Sequence, residues 1–145
     1  MLTAILLLAA TTMTFPLGVV EIPEGCAAPA QVSMAVDGFM ASIDCPKGFS
    51  ISLYGDVYMR PPCTGLPPGS KGTQGAPDRI LLKEGPALPV CVYKHRQAGS
   101  TVQKEETLID LGSGLLRAEI RTPAQLSYLR RIAQSFRRAQ NGDAK

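Results

Sequence analysis

Four cysteines offer the most specific chemistry in this chain of 145 residues. Their spacing contains no CxxC pair, and tetrahedral zinc sites usually use closely spaced Cys or His pairs, so we predict neither a metal site nor a cofactor. In an exported chain, an even number of cysteines predicts two disulfides. Three pairings are possible, and the sequential one is favoured because each bridge closes a loop of moderate length. Sequential pairing joins Cys26 to Cys45 and Cys63 to Cys91.

Candidates for catalysis are few. His95 is the only histidine, and its neighbours Lys94 and Arg96 indicate a solvated loop residue. On a continuous strand, Cys91 and His95 lie about 13 Å apart, too far for a thiol–imidazole pair. No Gly-x-Ser-x-Gly motif is present, and the glycine-rich stretch 69–75 lacks the Lys-Ser/Thr end of a phosphate-binding loop. We therefore predict no catalytic residue and no enzymatic activity, with a small extracytoplasmic hydrolase or inhibitor-type domain as the alternative.

The basic residues concentrate near the C-terminus. Residues 117–145 carry seven basic and two acidic side chains, a net of +5, whereas the preceding residues carry a net of −2. A basic face opposite an aliphatic one either is merely solvated or binds a protein partner or an anionic surface. Nucleic acid is not expected, because no aromatic stacking pattern accompanies the charge. The predicted partner-binding residues are Arg130, Arg131, Arg137 and Arg138.

These arginines lie in a segment with clear helical signals. Thr122, Pro123 and Gln125 combine an N-cap, a proline at the first helical position and a glutamine three residues after the cap. Apolar residues then recur at helical spacing as far as Phe136, which predicts an amphipathic helix. The pair Asn141-Gly142 predicts its end. We expect all four arginines on this helix, away from its apolar face.

The first twenty residues, Met1 to Val20, contain no charged side chain. This predicts a signal peptide or, alternatively, a retained membrane anchor that touches the bilayer, with a buried core segment as the third interpretation. Cleavage after Ala10 or after Ala30 is possible, and neither site is decisive. The predicted domains are thus a leader at 1–20 and a single exported domain at 21–145, and the predicted location is extracytoplasmic, either secreted or periplasmic.

Strand signals fill the middle of the chain. Asp37-Gly38 between alternating apolar runs predicts a hairpin with Val36 opposite Phe39, and Gly55-Asp56 predicts a second turn with a return strand at 57–59. Residues 61–89 hold seven prolines and five glycines and predict a long loop with one short strand at 80–82. Further strands are predicted at 90–93 and 107–111, paired with each other around a polar connection.

The expected fold is therefore α+β: a small antiparallel β-sheet domain with a C-terminal amphipathic helix, stabilised by disulfides. The expected function is that of a non-enzymatic secreted or cell-envelope binding or structural protein, with membership of a larger envelope-associated assembly as a further expectation. The C-terminal basic helix and the Pro/Gly loop are its predicted contact surfaces.

Overall fold

The computed structural model describes residues 11–63, 78–96 and 99–139. Within these ranges the chain forms ten β-strands and one α-helix, arranged as two antiparallel sheets with the helix near the C-terminus. The strands are β1 Thr11–Phe15, β2 Gly18–Ile22, β3 Ser33–Met34, β4 Gly38–Asp44, β5 Ser50–Asp56, β6 Asp78–Ile80, β7 Leu88–Arg96, β8 Gln103–Asp110, β9 Gly114–Ala118 and β10 Arg137–Arg138, and the helix α1 is Pro123–Gln134. The predicted small α+β domain is confirmed at this level.

The larger sheet has seven strands in the order β3-β4-β5-β9-β8-β7-β6. Alternation of apolar and polar residues sets its two faces. In β4, for example, Phe39, Ala41 and Ile43 are buried while the residues between them are exposed. Since side chains alternate across a strand, this pattern buries one face of the sheet. The predicted pairing of the strands at 90–93 and 107–111 is also confirmed, because β7 pairs with β8.

The core lies between the buried face of this sheet, α1, and a smaller sheet of order β1-β2-β10. The Phe15 ring centroid lies 5.6 Å from that of Phe39 and 5.7 Å from that of Phe136, so one aromatic cluster joins β1, β4 and the residue before β10. Leu129 and Ile132 of α1 are fully buried in the same hydrophobic core as this aromatic cluster. Each such large apolar side chain contributes about 1.5–3 kcal/mol by leaving water.

The hairpin β1–β2 occupies half of the predicted leader. Met13, Phe15 and Val20 are buried in the core, whereas the threonines of β1 are exposed. A division of the chain at residue 20 therefore passes through β2. The sequence suggested a continuous apolar run because threonine is uncharged, but residues 11–15 alternate as a strand does. Residues 1–10 lie outside the described ranges, and their role as a leader or anchor stays a prediction.

No helix in the described ranges has the length and apolar character that a membrane span requires.

The first predicted hairpin exists, but its predicted register is wrong. Met34 pairs with Phe39, and the Ala35 N–H donates to the Gly38 carbonyl at 2.8 Å, so the turn is Val36-Asp37. Gly38 lies in β4, where a Cβ would come within 2.3 Å of the Gly55 carbonyl oxygen. The glycine that suggested a type I′ turn thus serves a close approach between two strands.

Two other sequence predictions are also corrected. The return strand expected at 57–59 is absent, because β5 pairs with β4 and β9 instead. The short strand expected at 80–82 is β6, Asp78–Ile80. Of the predicted Pro/Gly loop at 61–89, residues 64–77 lie outside the described ranges, and the rest includes β6 and the start of β7.

The helix begins as predicted and ends earlier. The Thr122 side chain accepts from the Gln125 N–H at 3.3 Å, and the Gln125 side chain accepts from the Arg121 N–H at 2.7 Å. After Gln134 the chain leaves the helix and enters β10, which pairs with Val19 and Gly18 of β2. A Cβ at Gly18 would lie 1.9 Å from the Arg137 carbonyl oxygen, so this pairing requires a glycine.

Two disulfides are present, with the sequential connectivity that loop length favoured. Cys26 joins Cys45, and Cys63 joins Cys91. No free cysteine remains in the part of the chain that the structure describes. Disulfides of this kind form and persist in oxidising environments, so they indicate an extracytoplasmic compartment.

Candidate functional site

The four arginines predicted to bind a partner do not share one helix face. Arg130 and Arg131 lie on α1, but Arg137 and Arg138 lie on β10 in the smaller sheet. The helical pattern was extended beyond Gln134 because Phe136 falls at the right spacing. Phe136 is buried, but it reaches the core from outside the helix.

Arg130 is held by a neighbouring element. Its Nη2 donates to Asp78 Oδ2 and forms an ion pair that joins α1 to β6. The Arg79 N–H donates to the other oxygen of Asp78 at 2.8 Å. The pKa of Asp78 lies below its ordinary value, first because of this backbone hydrogen bond and second because of Arg130. The guanidinium of Arg130 thus has a partner within the fold.

Arg138 also serves the fold. Its Nη1 donates to the Leu111 carbonyl oxygen at 3.4 Å. The guanidinium carbon lies 5.5 Å from the centroid of the Phe136 ring, a cation–π distance. These contacts fasten β10 to the end of β8.

Arg131 and Arg137 lie together on a cleft of about 390 Å³ at the C-terminal end of α1. Neither forms an ion pair or hydrogen bond with another described side chain. The cleft also contains Lys83, Glu21 and Glu84, so it presents three cations and two carboxylates. Its charge is therefore mixed, with only a small positive excess.

A second surface, which we call the apolar end, is formed by exposed apolar side chains and not by charged ones. Seven large apolar side chains among the described residues are mostly exposed, and five of them belong to two neighbouring segments. Each of the five is at least 65% exposed, and they are Met34, Val36, Met40, Val57 and Tyr58. The two segments are the β3–β4 hairpin and the loop that follows β5.

One backbone hydrogen bond joins these two segments, and a second hydrogen bond lies within the loop that follows β5. The Val57 N–H donates to the Asp37 carbonyl at 3.0 Å, and the Tyr58 N–H donates to Asp56 Oδ1 at 2.6 Å. These two segments and the β1–β2 turn around Leu17 enclose a groove of about 380 Å³, here called the apolar groove. Its walls are therefore fixed by backbone contacts.

Phe39 forms part of this groove because of two glycines. It pairs with Gly55 in the sheet, and Gly55 pairs with Gly114. A Cβ on Gly55 or Gly114 would lie 2.8 or 2.9 Å from the Phe39 ring, so the ring lies across both glycines. A Cβ on Gly114 would also lie 3.0 Å from Leu17 Cδ1. The Phe39 ring can thus occupy this position in the groove only because Gly55 and Gly114 carry no side chain.

The other face of the large sheet contains one buried carboxyl group. Asp110 is 3% exposed and packs near Leu108, Leu115 and the Cys63–Cys91 bridge. Its Oδ2 accepts from the Cys63 N–H at 3.1 Å, and its Oδ1 has no hydrogen-bond partner among the described residues. Burial raises the pKa of Asp110 to about 6, against the lowering effect of the Cys63 hydrogen bond.

The residues considered for catalysis are placed as follows. Cys91 is bonded to Cys63 and carries no thiol. His95 lies near the end of β7, and its side chain is outside what the structure describes. Among the described residues, no three His, Cys, Asp or Glu side chains lie close enough together to hold a metal ion.

The sequence contained the apolar end but gave no sign that it was exposed. Val36 was expected to face Phe39 on the apolar face of a hairpin, and 57–59 were expected to form a strand, so neither segment was expected to lie outside the sheet. No family model, curated protein or solved structure matches the chain.

Proposed function

We propose that this protein is a non-enzymatic extracytoplasmic binding protein that docks a protein partner on its apolar end. The observation that carries this proposal is that three of the exposed apolar side chains, Met34, Val36 and Val57, line one groove. Single exposed apolar residues are ordinary, but a contiguous exposed patch usually marks an interaction site. Leu81 and Val102, the other two exposed large residues in the described ranges, lie in separate loops and represent the ordinary case.

The construction of the apolar groove supports the same function. Its two segments are already joined by the hydrogen bond from the Val57 N–H to the Asp37 carbonyl, and Phe39 is fixed over Gly55 and Gly114. A surface that is ordered before binding loses less conformational entropy when a partner docks. The two disulfides support an envelope or secreted setting, in which such a protein would join a larger assembly.

The cleft at Arg131 and Arg137 is a second candidate contact, for an acidic protein segment or an anionic surface. Its support is that both guanidinium groups are exposed and have no partner among the described side chains. The carboxylates of Glu21 and Glu84 in the same cleft weaken the attraction for an anion. We therefore rank it below the apolar end.

Site-specific photocrosslinking tests the primary proposal. A photoreactive phenylalanine analogue is placed at Val36 or at Val57 in the full chain, and the protein is irradiated in the extracytoplasmic fraction of its native cells. We expect one discrete adduct, of the same mass from both positions, because both side chains line the same groove. Mass spectrometry of the adduct identifies the partner.

The matched controls place the same analogue at Leu81 or Val102, which are exposed to a similar extent but lie outside the groove. These positions are expected to give no such adduct. Equal labelling at all four positions, or no adduct at Val36 and Val57, would contradict the proposal. Loss of the adduct after Arg131→Gln and Arg137→Gln would instead assign the contact to the second candidate cleft.

A further inference from the structure

Two carboxylates line the apolar groove beside its apolar walls. Asp37 lies in the β3–β4 turn and Asp56 at the end of β5, and the Val57 N–H bond to the Asp37 carbonyl brings their segments together. Neither carboxylate forms an ion pair with a described lysine or arginine. Asp56 Oδ1 accepts from the Tyr58 N–H, and its other oxygen is not used by a described donor. The groove thus combines apolar walls with negative charge that the described fold does not neutralise.

We propose that the apolar groove binds a segment of a partner protein in which an aliphatic side chain lies next to a lysine or arginine. This inference rests on the proposed function and adds the chemistry of the partner. The aliphatic side chain packs against Leu17, Met34, Val36 and Val57, while the cation lies within reach of Asp37 and Asp56. Complementary charge beside an apolar contact selects the partner and its orientation more than it adds affinity.

The shape and charge of the groove favour a peptide segment over a lipid surface. A concave site of about 380 Å³ suits inserted side chains. A bilayer would instead bring phosphate groups towards Asp37 and Asp56, and like charges repel. A second copy of this chain is also less favoured, because a two-fold contact through the groove would bring Asp37 and Asp56 of both copies together, and like charges repel.

The test uses three fluorescein-labelled nonapeptides and the oxidised full chain, with binding followed by fluorescence anisotropy. The peptides are three repeats of Gly-Leu-Lys, of Gly-Leu-Glu and of Gly-Ser-Lys. We expect the Gly-Leu-Lys peptide to bind at least tenfold more tightly than either of the others, because only it satisfies both parts of the groove. Its affinity is expected to fall as salt rises, since the ionic contacts are exposed.

Variants separate the two parts. Val36→Ser with Val57→Ser should reduce binding of the Gly-Leu-Lys peptide to the level of the Gly-Ser-Lys peptide. Asp37→Asn with Asp56→Asn should weaken it about fivefold and remove most of the salt dependence, as exposed charge pairs are individually weak. Asn retains the acceptor for the Tyr58 N–H. The matched control is Asp44→Asn with Glu105→Gln, which removes the same charge outside the groove and should leave binding unchanged.

The opposite outcomes overturn the inference. Equal binding of the Lys and Glu peptides, or an unchanged affinity after Asp37→Asn with Asp56→Asn, would show that the carboxylates do not select the partner. Sedimentation that shows self-association lost in Val36→Ser would assign the groove to a second copy. Binding to phosphatidylcholine vesicles in place of the peptides would assign it to lipid. In each case, a photocrosslinked partner at Val36 would show whether the protein-binding function still holds.

Discussion

Asp110 is the only charged or polar residue that is buried within the described ranges. Its carboxyl group accepts one hydrogen bond from the Cys63 N–H and lies otherwise among apolar groups. A charged carboxylate in such surroundings is costly, which is why its pKa is raised to about 6. The sequence placed Asp110 in a strand, but periodicity could not show that it faces the disulfide and not water.

This carboxyl group makes stability depend on pH. Its pKa in the folded state is above the unfolded value of roughly 4, so the folded state holds the proton more tightly. The contribution is fully present below pH 4 and is lost as the pH rises through 6. We expect the free energy of unfolding to fall by about 2 kcal/mol between pH 4.5 and 7.5 because of this group.

Urea denaturation of the wild type and of Asp110→Asn at pH 4.5 and 7.5 measures this fall in the free energy of unfolding. The variant should lack this decline, since asparagine does not titrate yet can still accept from the Cys63 N–H. Asp44→Asn, at an exposed carboxyl on the same large sheet, should retain the wild-type slope. Identical slopes for the wild type and Asp110→Asn would show that Asp110 ionises normally in the fold.

At the scale of elements, the strands were more predictable than their pairing. Alternation identified β4 and the strands at β7 and β8, and the N-cap at Thr122 fixed the start of α1. The register of the β3–β4 hairpin was missed because Gly38 is required by contact with Gly55, which is distant in sequence. β10 was missed for the same kind of reason, since its partner Gly18 is distant in sequence.

The row of Phe39, Gly55 and Gly114 gives a prediction at this scale. In Gly114→Ala, the new Cβ would lie 2.9 Å from the Phe39 ring, which must then shift. We expect a loss of roughly 1–3 kcal/mol in the free energy of unfolding, as for other overpacked sites. Chemical denaturation measures it, and the Phe39→Leu background should reduce the loss because leucine leaves more space beside the new methyl group. An equal loss in both backgrounds would place the strain elsewhere, on the Tyr54 carbonyl for example.

At the scale of the whole molecule, the N-terminal hairpin belongs to the core. A chain that begins at Glu21 lacks Met13, Phe15 and Val20, each worth about 1.5–3 kcal/mol of apolar burial. Domains are stable by only about 5–15 kcal/mol, so we expect this truncated chain to lose cooperative unfolding. A chain that begins at Thr11 should retain it, as measured by near-ultraviolet circular dichroism during thermal unfolding. Equal unfolding curves would show that β1 and β2 are dispensable.

The intact mass of the native protein shows whether it retains the β1–β2 hairpin. If the protein is processed during export, the core requires that the cut lie before Met13. The compartment could be predicted from the cysteines, whereas β1 was not recognised because its threonines carry no charge and continue the uncharged stretch that precedes them. A native N-terminus after residue 20 would contradict the role of β1 in the fold.

The smaller sheet joins the early strands β1 and β2 to the late strand β10, so it cannot be completed until β10 has been synthesised. The Glu21 N–H donates to Ser135 Oγ across a separation of 114 positions, and β10 follows directly after. Contacts of such high sequence separation form slowly. During vectorial emergence from a ribosome or a translocation channel, the β1–β2 hairpin therefore lacks these neighbours until residues 135–138 have emerged. Completion of the fold is then a late event, which leaves the cysteines open to oxidation while the chain is still being delivered.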